Sequence, residues 1–524
     1  MKQLSKTDFI LYLECAKNVW IKWHKPEEYA KFEISEFEKS LGAMGNDVEE
    51  KAREMFPGGY LVEKRSDGAQ DLTKKLIALK TPVIFQAVFK TEKYMAATDV
   101  MVWNEDANAY DLYEIKMSST EENDGEGNIK IDKKKERQFE YDITFQAIVV
   151  EMCDIKINKK YLVRINRKYV RMGAINVHKL FDRNDKTEIV EKLKSEVYAK
   201  MEGACVYLSD KKMPVGPCEC YYKGRSSHCT TFTLSNPHVP EYSVHDLNRI
   251  GNSKKYLKEL LDEGILEIEN VPEDDRLRPK EKKEGEEPSK PRKLNQVIAH
   301  KTKKPIIDLP AIKRELDSLT FPLYFLDYET YPTAIPPFDG YHPYQHIVFQ
   351  YSLHVLTEED AKNNVEPKHF ECLILEGDPA ENIVKSLRTN IGDVGTIISW
   401  NKSFENSRNR EMAHLLPSYA SFLNDVIKRT YDLKDIVDNQ YYIHHGFKGS
   451  ASIKKVQRVI APDFSYKLLG VQNGTEAIEA YRQISSGELN STEAEEKKRE
   501  MLEYCMYDTK VMYIIWKFFR DLCR

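Results

Sequence analysis

No stretch of the chain approaches the ~20 consecutive apolar residues that a bilayer-spanning helix needs. With no signal segment either, the expectation is a soluble, cytoplasmic protein with no membrane partner. Cysteine is scarce, at nine in 524 residues. In that setting reduced thiolates are expected rather than disulfides. Excess positive charge is also lacking: a net charge of -5 is not the footprint of a wholesale polyanion binder, so any nucleic-acid contact must follow a local basic path. What is present is apolar content of 41%, ample for packed cores, in a length that allows roughly two to four domains.

The segment FPLYFLDYETY, residues 321–331, sets Asp327 and Glu329 two apart in an apolar, aromatic run that reads as a buried strand. Strand side chains alternate between faces, so both carboxylates point the same way. Two anions at the edge of a core repel and lose solvation unless a cation neutralises them, and a divalent metal is the natural partner. Further on, EYCMYDTK sets Tyr504 and Asp508 four apart, stacked on one face of a helix. Between these, Thr396 to Trp400 read as a strand, Asn401 and Glu405 open the next helix, and Asp432 follows in RTYDLKDIV.

A second acidic cluster lies in AATDVMVWNEDANAYDLYEIKMSS, residues 96–119. Asp99 to Trp103 read as one strand, NEDANA as a turn, and Tyr110 to Met117 as the return strand. Glu114 and Lys116 share a face, and the hairpin can bring Asp99 beside Glu114 to bind metal, with Lys116 supplying positive charge near a phosphate. Asp142, Phe145 and Gln146 fall on a helix after the basic stretch KIDKKKER. Three cysteines crowd into PCECYYKGRSSHC as Cys218, Cys220 and Cys229, and such clustering suggests a metal. Zinc held with Cys205 and His228 is one reading, and unligated thiols are the bland one.

Residues 1–235 read as a first domain. A helical unit follows over 236–272, with Ser243 as cap and Leu247, Ile250, Leu257, Leu260 and Leu261 as its apolar face. Residues 273–305 read as a charged flexible linker, because EDDRLRPKEKKEGEEPSKPRK cannot bury enough surface to order itself. The last domain spans 306–524. Local basic candidates are IDKKKER, RINRKYVR and Lys448, Lys454 and Lys455, with Lys454 first. Tyr341 and Tyr344 read as loop residues beside Gly340 and Pro343, able to stack on unpaired bases.

The order D-x-E on a first strand, N-x-x-F-acid at a turn and Y-x-x-x-D on a late helix resembles the DEDD exonucleases of the ribonuclease H fold. The resemblance implies metal ligands at Asp327, Glu329 and Asp508, with Tyr504 orienting the attacking water. The third acidic position is Glu405 rather than aspartate, and Asp432 stands as its substitute. The D-(x)n-E-x-K arrangement resembles the PD-(D/E)XK nucleases, more closely their RecB-like branch, which implies a site of Asp99, Glu114, Lys116 and Gln146. That branch commonly carries a histidine where this chain has Glu49, a further candidate ligand. Its iron–sulfur members imply a 4Fe-4S cluster held by Cys15, Cys218, Cys220 and Cys229, with zinc as the alternative.

Taken together, FLDYETYPTAIPPFDGYHPYQHIVFQYSLH, WNKSFENSRNREMA, KGSASIKKV and YCMYDTKVM, with LSKTDFILYLEC, AREMFPGG, YEIKMSS and FQAIVVE earlier, resemble domain-of-unknown-function family 2779. In it a RecB-like nuclease half precedes a YprB-like ribonuclease H half. The resemblance implies an α/β chain: a restriction-endonuclease-type domain, then a ribonuclease H-like domain with a mixed sheet flanked by helices. It further implies a nuclease dependent on Mg2+ or Mn2+, acting on DNA with RNA as the other candidate, in DNA repair or foreign-DNA processing, with 3′-to-5′ exonuclease polarity at the DEDD site. The competing expectations are a nucleic-acid-binding scaffold with partly decayed sites and an RNA-processing exonuclease.

Overall fold

The computed structural model describes residues 2–32, 36–63, 66–119, 122–123, 129–130, 132–278, 290–464, 466 and 469–524. Among them no helix is long and apolar enough to cross a membrane. The chain forms two compact α/β units, one from residues 1–221, 229–237 and 333–344, the other from 222–228, 238–332 and 345–524.

The first unit is built on a seven-stranded mixed sheet. Its strands are β1 (Leu4–Ser5), β2 (Tyr60–Leu61), β3 (Val83–Lys90), β4 (Tyr94–Asn104), β5 (Ala109–Ser119), β6 (Ile157–Ile165) and β7 (Phe181–Asp185). They run in the order β2-β3-β4-β5-β6-β7, with β1 beside β4. β3, β4 and β5 are antiparallel neighbours, whereas β5 and β6 are parallel. That parallel step requires a crossover, and helix α4 (Lys133–Glu151) supplies it, capped by the Asp132 carboxylate on the Lys134 and Lys135 amides. Helices α1 (Lys6–Glu14), α2 (Ala16–His24), α3 (Glu36–Arg53) and α5 (Thr187–Ser209) complete the layers used below. Phe9 of α1 stacks on Phe145 of α4 at 5.2 Å, inside an apolar core with Met101, Tyr110, Val197 and Met201. This burial is what fixes α1 and α4 on the sheet.

The second unit carries a five-stranded sheet of β8 (Leu323–Pro332), β9 (His346–Leu356), β10 (Lys368–Leu373), β11 (Thr396–Ser399) and β12 (Thr430–Asp432), in the order β10-β9-β8-β11-β12. β10, β9 and β8 are antiparallel neighbours, and β8, β11 and β12 run parallel. Helix α6 is Lys254–Asp262, α7 is Arg292–Thr302, α8 is Lys402–Leu415, α9 is Ile453–Ile460 and α10 is Gly474–Ser485. The 32-residue α11 (Ser491–Leu522) begins in a capping box of Asn490 and Glu493 and buries Met501, Val511, Ile515 and Phe519 against the sheet.

Two expectations change. The stretch after Ser243 is not one helix: Ser243 caps a single turn, and α6 starts only after Ser253. Asn248, Gly251 and Asn252 interrupt the periodicity, and Arg249 takes φ 53, which breaks helical continuity. The linker reading of 273–305 fails over 292–302, where α7 buries Leu294, Val297 and Ala299. Its stretch 279–289 lies outside the described residues. The window's high average charge hid these apolar positions, which are spaced three and two apart.

Candidate functional site

In the second unit β8, α8 and α11 converge on one acidic centre. Strand alternation holds Asp327 and Glu329 on the same face of β8, opposite Ser352 and Gln350 of β9, just before a bulge at Glu329 and Thr330. One ligand-type atom each from Asp327, Glu329 and Cys505 lie within 4.8 Å of one another. Asp508 lies four residues after Tyr504 and three after Cys505, so the three fall within about 100° of arc on α11. Asp508 accepts hydrogen bonds from the hydroxyls of Tyr466 and Tyr504.

Electrostatics ties these groups together. Burial and the Asp508 charge hold Asp327 well above the usual carboxylate range. Burial, then Asp327 and Asp508, do the same to Glu329, against the pull of Lys454. Glu405, in the first turn of α8, is 3% exposed and is raised by burial and by Asp327. Its Oε2 has no hydrogen-bond partner among the described residues. Burial also raises the Tyr504 phenol, helped by Asp508, Glu329 and Asp327, so it stays protonated. Lys454 sits 5.1 Å over the Tyr466 ring and 5.5 Å over the Tyr504 ring and donates to the Gln472 carbonyl at 2.6 Å. Acidic donors with an orphaned buried oxygen among them fit divalent cations: Asp327, Glu329, Asp508 and Glu405 are the residues that would hold them.

Asp432 is placed otherwise. Its Oδ1 accepts from the Asn401 amide at 2.9 Å and the Lys434 amide at 3.2 Å, and its Oδ2 from the Lys402 amide at 2.9 Å. It therefore clamps the start of α8, where Asn401 takes φ 91, instead of presenting free oxygens to an ion. Tyr466 and Cys505 were missed by sequence reasoning. Cys505 carried a signal, since it lies three residues before Asp508, whereas Tyr466 carried none.

A groove of 800 Å³ in the same unit is lined by Arg225, Arg249, Trp400, Lys434, Lys448 and Lys455, among others. Arg225 pairs with Asp246 and Lys434 with Asp438. Arg249, Lys448 and Asn401 all adopt positive φ, at 53°, 50° and 91°. Each of the three flanks a helix or 3-10 turn as its cap.

Residues 324–452 match a family model described as Domain of unknown function (DUF2779). The match takes in Asp327, Glu329, Glu405, Asp432 and the basic loop at Lys448 but stops short of Tyr504 and Asp508. The uncharacterized protein MG366 of Mycoplasma genitalium is 29% identical over 214 residues, covering 38% of this chain and 32% of that protein. The uncharacterized protein UU173 of Ureaplasma parvum is 26% identical over 219 residues, with coverage of 38% and 31%. The chain thus spans about a third of the length of these curated relatives. No solved structure matches the chain at a significant level.

The first unit gathers its own polar centre. Glu114 is 1% exposed and accepts from Lys6 and from Lys116, each at 2.7 Å, on Oε1, and from Gln146 at 2.6 Å on Oε2. Lys116 also bonds Asp142, which accepts from Gln146 at 3.2 Å. Burial alone would raise Glu114, but Lys116 and Lys6 pull it below the ordinary carboxylate range. Asp99 caps the edge of the β4–β5 ladder by accepting the Ile115 amide at 2.8 Å, and burial with the charges of Glu114 and Glu49 pushes it up to about 8 against Lys6. Glu49 is held by Arg53 at 2.5 Å and by Gln86. Gln86 takes φ 55 within β3, between the paired Phe85 and Ala87, and the β3–β4 register continues unshifted across it. Lys6 and Gln86 were missed: Lys6 stands 108 residues from its partner, so no local spacing announces it.

Cys15, Cys218, Cys220 and Cys229 bring their sulfurs within 4.8 Å of one another, with Cys218 and Cys229 3.9 Å apart. Cys15 lies at the break between α1 and α2, not on a helix. Asn236 donates to the Cys218 sulfur at 3.3 Å. Four thiols fit a metal centre; Cys205 and His228 are not among them, and the His228 ring faces the Lys223 carbonyl at 3.0 Å. Tyr341 is 2% exposed and packs edge-on against Phe338 at 5.8 Å, which removes it from base stacking. Tyr344, at φ 62, is half-buried under Arg167 at 5.9 Å. Both rings lie in 333–344, which belongs to the first unit, and Arg171 bonds this stretch through its backbone to Gly340 and Tyr341 and through its guanidinium to the Pro336 carbonyl.

Proposed function

We propose that the protein is a metal-dependent nuclease that hydrolyses phosphodiester bonds in DNA, with its principal site at Asp327, Glu329, Glu405 and Asp508. The observation that carries this reading is the convergence of four carboxylates from three distant stretches into one buried centre whose mutual repulsion Lys454 only partly offsets. Bound divalent cations would supply Lewis-acid polarisation and a hydroxide nucleophile at neutral pH. The carboxylates hold and space them. The protonated Tyr504 hydroxyl, fixed on Asp508, is suited to orient a water, and Lys454 adds positive charge where charge develops on the phosphate. The strand order of the second sheet supports a ribonuclease H-like reading, and the cationic groove with Trp400 supports a single polynucleotide strand as ligand.

The polar centre of the first unit is a second nuclease site in this reading. Ion binding there requires Lys6 or Lys116 to give up a carboxylate oxygen, so the second unit is assigned the main activity. For the cysteines, the resemblance favours 4Fe-4S, but a 3.9 Å separation is close to the ~3.8 Å edge of a tetrahedron with zinc–sulfur bonds of ~2.3 Å. Thiolates on different irons stand wider apart. Metal analysis and visible absorbance of anaerobically purified protein decide between zinc and iron.

The nuclease reading is tested with end-labelled single- and double-stranded DNA and RNA in Mg2+ or Mn2+. Digestion by the wild type and by Asp99→Ala, with at least a hundredfold loss in Asp327→Ala, is the expected pattern. Equal digestion by wild type and Asp327→Ala overturns the site assignment, and no digestion by any form favours the scaffold.

A further inference from the structure

A sulfur lies among the oxygens of the acidic centre. Cys505 is fully buried on α11, and its Sγ is within 4.8 Å of ligand atoms of Asp327 and Glu329. The neighbouring Glu405 is 3% exposed and its Oε2 meets no donor among the described residues; Asp327 is the foremost charge acting on it. A buried acid with an orphaned oxygen beside two further carboxylates calls for a cation. We propose that Cys505 is itself a ligand, making the centre a mixed oxygen and sulfur site that selects Zn2+ or Co2+ over Mg2+. This rests on the reading of the centre as cation-binding.

The selectivity follows from ligand softness. Mg2+ takes oxygen donors in a near-octahedral shell and gains little from sulfur, whereas a thiolate adds strongly to the affinity of the later first-row ions. On binding, the S–H bond breaks, its proton leaves to solvent and a metal–sulfur bond forms. A cysteine serving only as a small core residue makes no such contribution.

Cd2+ is the probe, because thiolate-to-cadmium charge transfer absorbs in the ultraviolet. The full chain is titrated as wild type, Cys505→Ser and Asp327→Asn. The expected result is that Cys505→Ser loses one thiolate's share of the absorption and weakens Cd2+ binding at this centre about tenfold or more, and that Asp327→Asn weakens the same component. Identical titrations of wild type and Cys505→Ser overturn the proposal. Should the serine variant not fold, wild-type crystals soaked in Cd2+ answer the same question. Anomalous density bonded to Cys505 Sγ supports the proposal, and density on the carboxylates alone overturns it. Mg2+-dependent digestion without a Cys505 signal would sink this inference and leave the nuclease reading standing. A Cys505-dependent signal with no digestion would do the reverse.

Discussion

His354 shows how one side chain couples packing to pH. It is 3% exposed on β9, its Nδ1 lies 2.8 Å from the Thr509 hydroxyl of α11, and its ring stands 4.6 Å from His369. Burial, then His369 and Lys510, push its pKa down to about 3. The folded protein therefore keeps the ring neutral, while the unfolded chain takes up a proton below about 6.5. The stability gained is complete above that pH and is lost progressively as pH falls toward 3. Between pH 7.5 and pH 5 the loss from this group is about 2 kcal/mol. Urea midpoints of wild type and His354→Gln at both pH values measure it, and the variant should show the shallower dependence. Parallel curves would rule out His354 as the titrating group.

At the scale of elements, α8 is aimed by its first turn. Asp432 ties β12 to the amides of Asn401, Lys402 and Lys434, and an anion there also complements the positive end of the helix. The helix in turn carries Glu405 toward Asp327. Asp432→Ala should cost about 1–2 kcal/mol of stability, as loss of a helix cap does, and leave cation binding per folded molecule nearly unchanged. Asp432→Asn should recover part of the stability. Thermal unfolding with and without Mn2+ separates the two effects: an unchanged metal-induced shift fits the clamp, and its disappearance would make Asp432 a ligand. Elements of this kind were legible unevenly. The two-residue spacing of Asp327 and Glu329 and the four-residue spacing of Tyr504 and Asp508 translate directly into shared faces. Asp432 reads the same in sequence whether it binds an ion or three amides, because partners brought in from other elements leave no local pattern. Lys6 and Tyr466 were invisible for that reason, and Tyr341 was misjudged because Gly340 and Pro343 signal a turn without saying what covers it.

Across the whole molecule, a net charge of -5 sets the problem for a protein read as gripping a polyanion. Attraction must come from cations concentrated in one place. Within the second unit the groove gathers Arg249, Lys448 and Lys455, close along the chain to Lys454 of the acidic centre. Arg249 and Lys448 both take left-handed φ, each flanking a short 3-10 turn. Asparagine tolerates the left-handed region, so Arg249→Asn with Lys448→Asn removes two charges without adding strain. If the groove carries the phosphate backbone, the double variant should bind a labelled single-stranded oligonucleotide about tenfold or more weaker. The logarithmic salt dependence of its affinity should be shallower by about 1.4, at roughly 0.7 per lost single-strand contact. Fluorescence anisotropy across a salt series reads both quantities. Weaker binding with an unchanged slope would mean that the substitutions disturbed the fold rather than removed phosphate contacts, and an unchanged affinity would move the strand's path away from this groove.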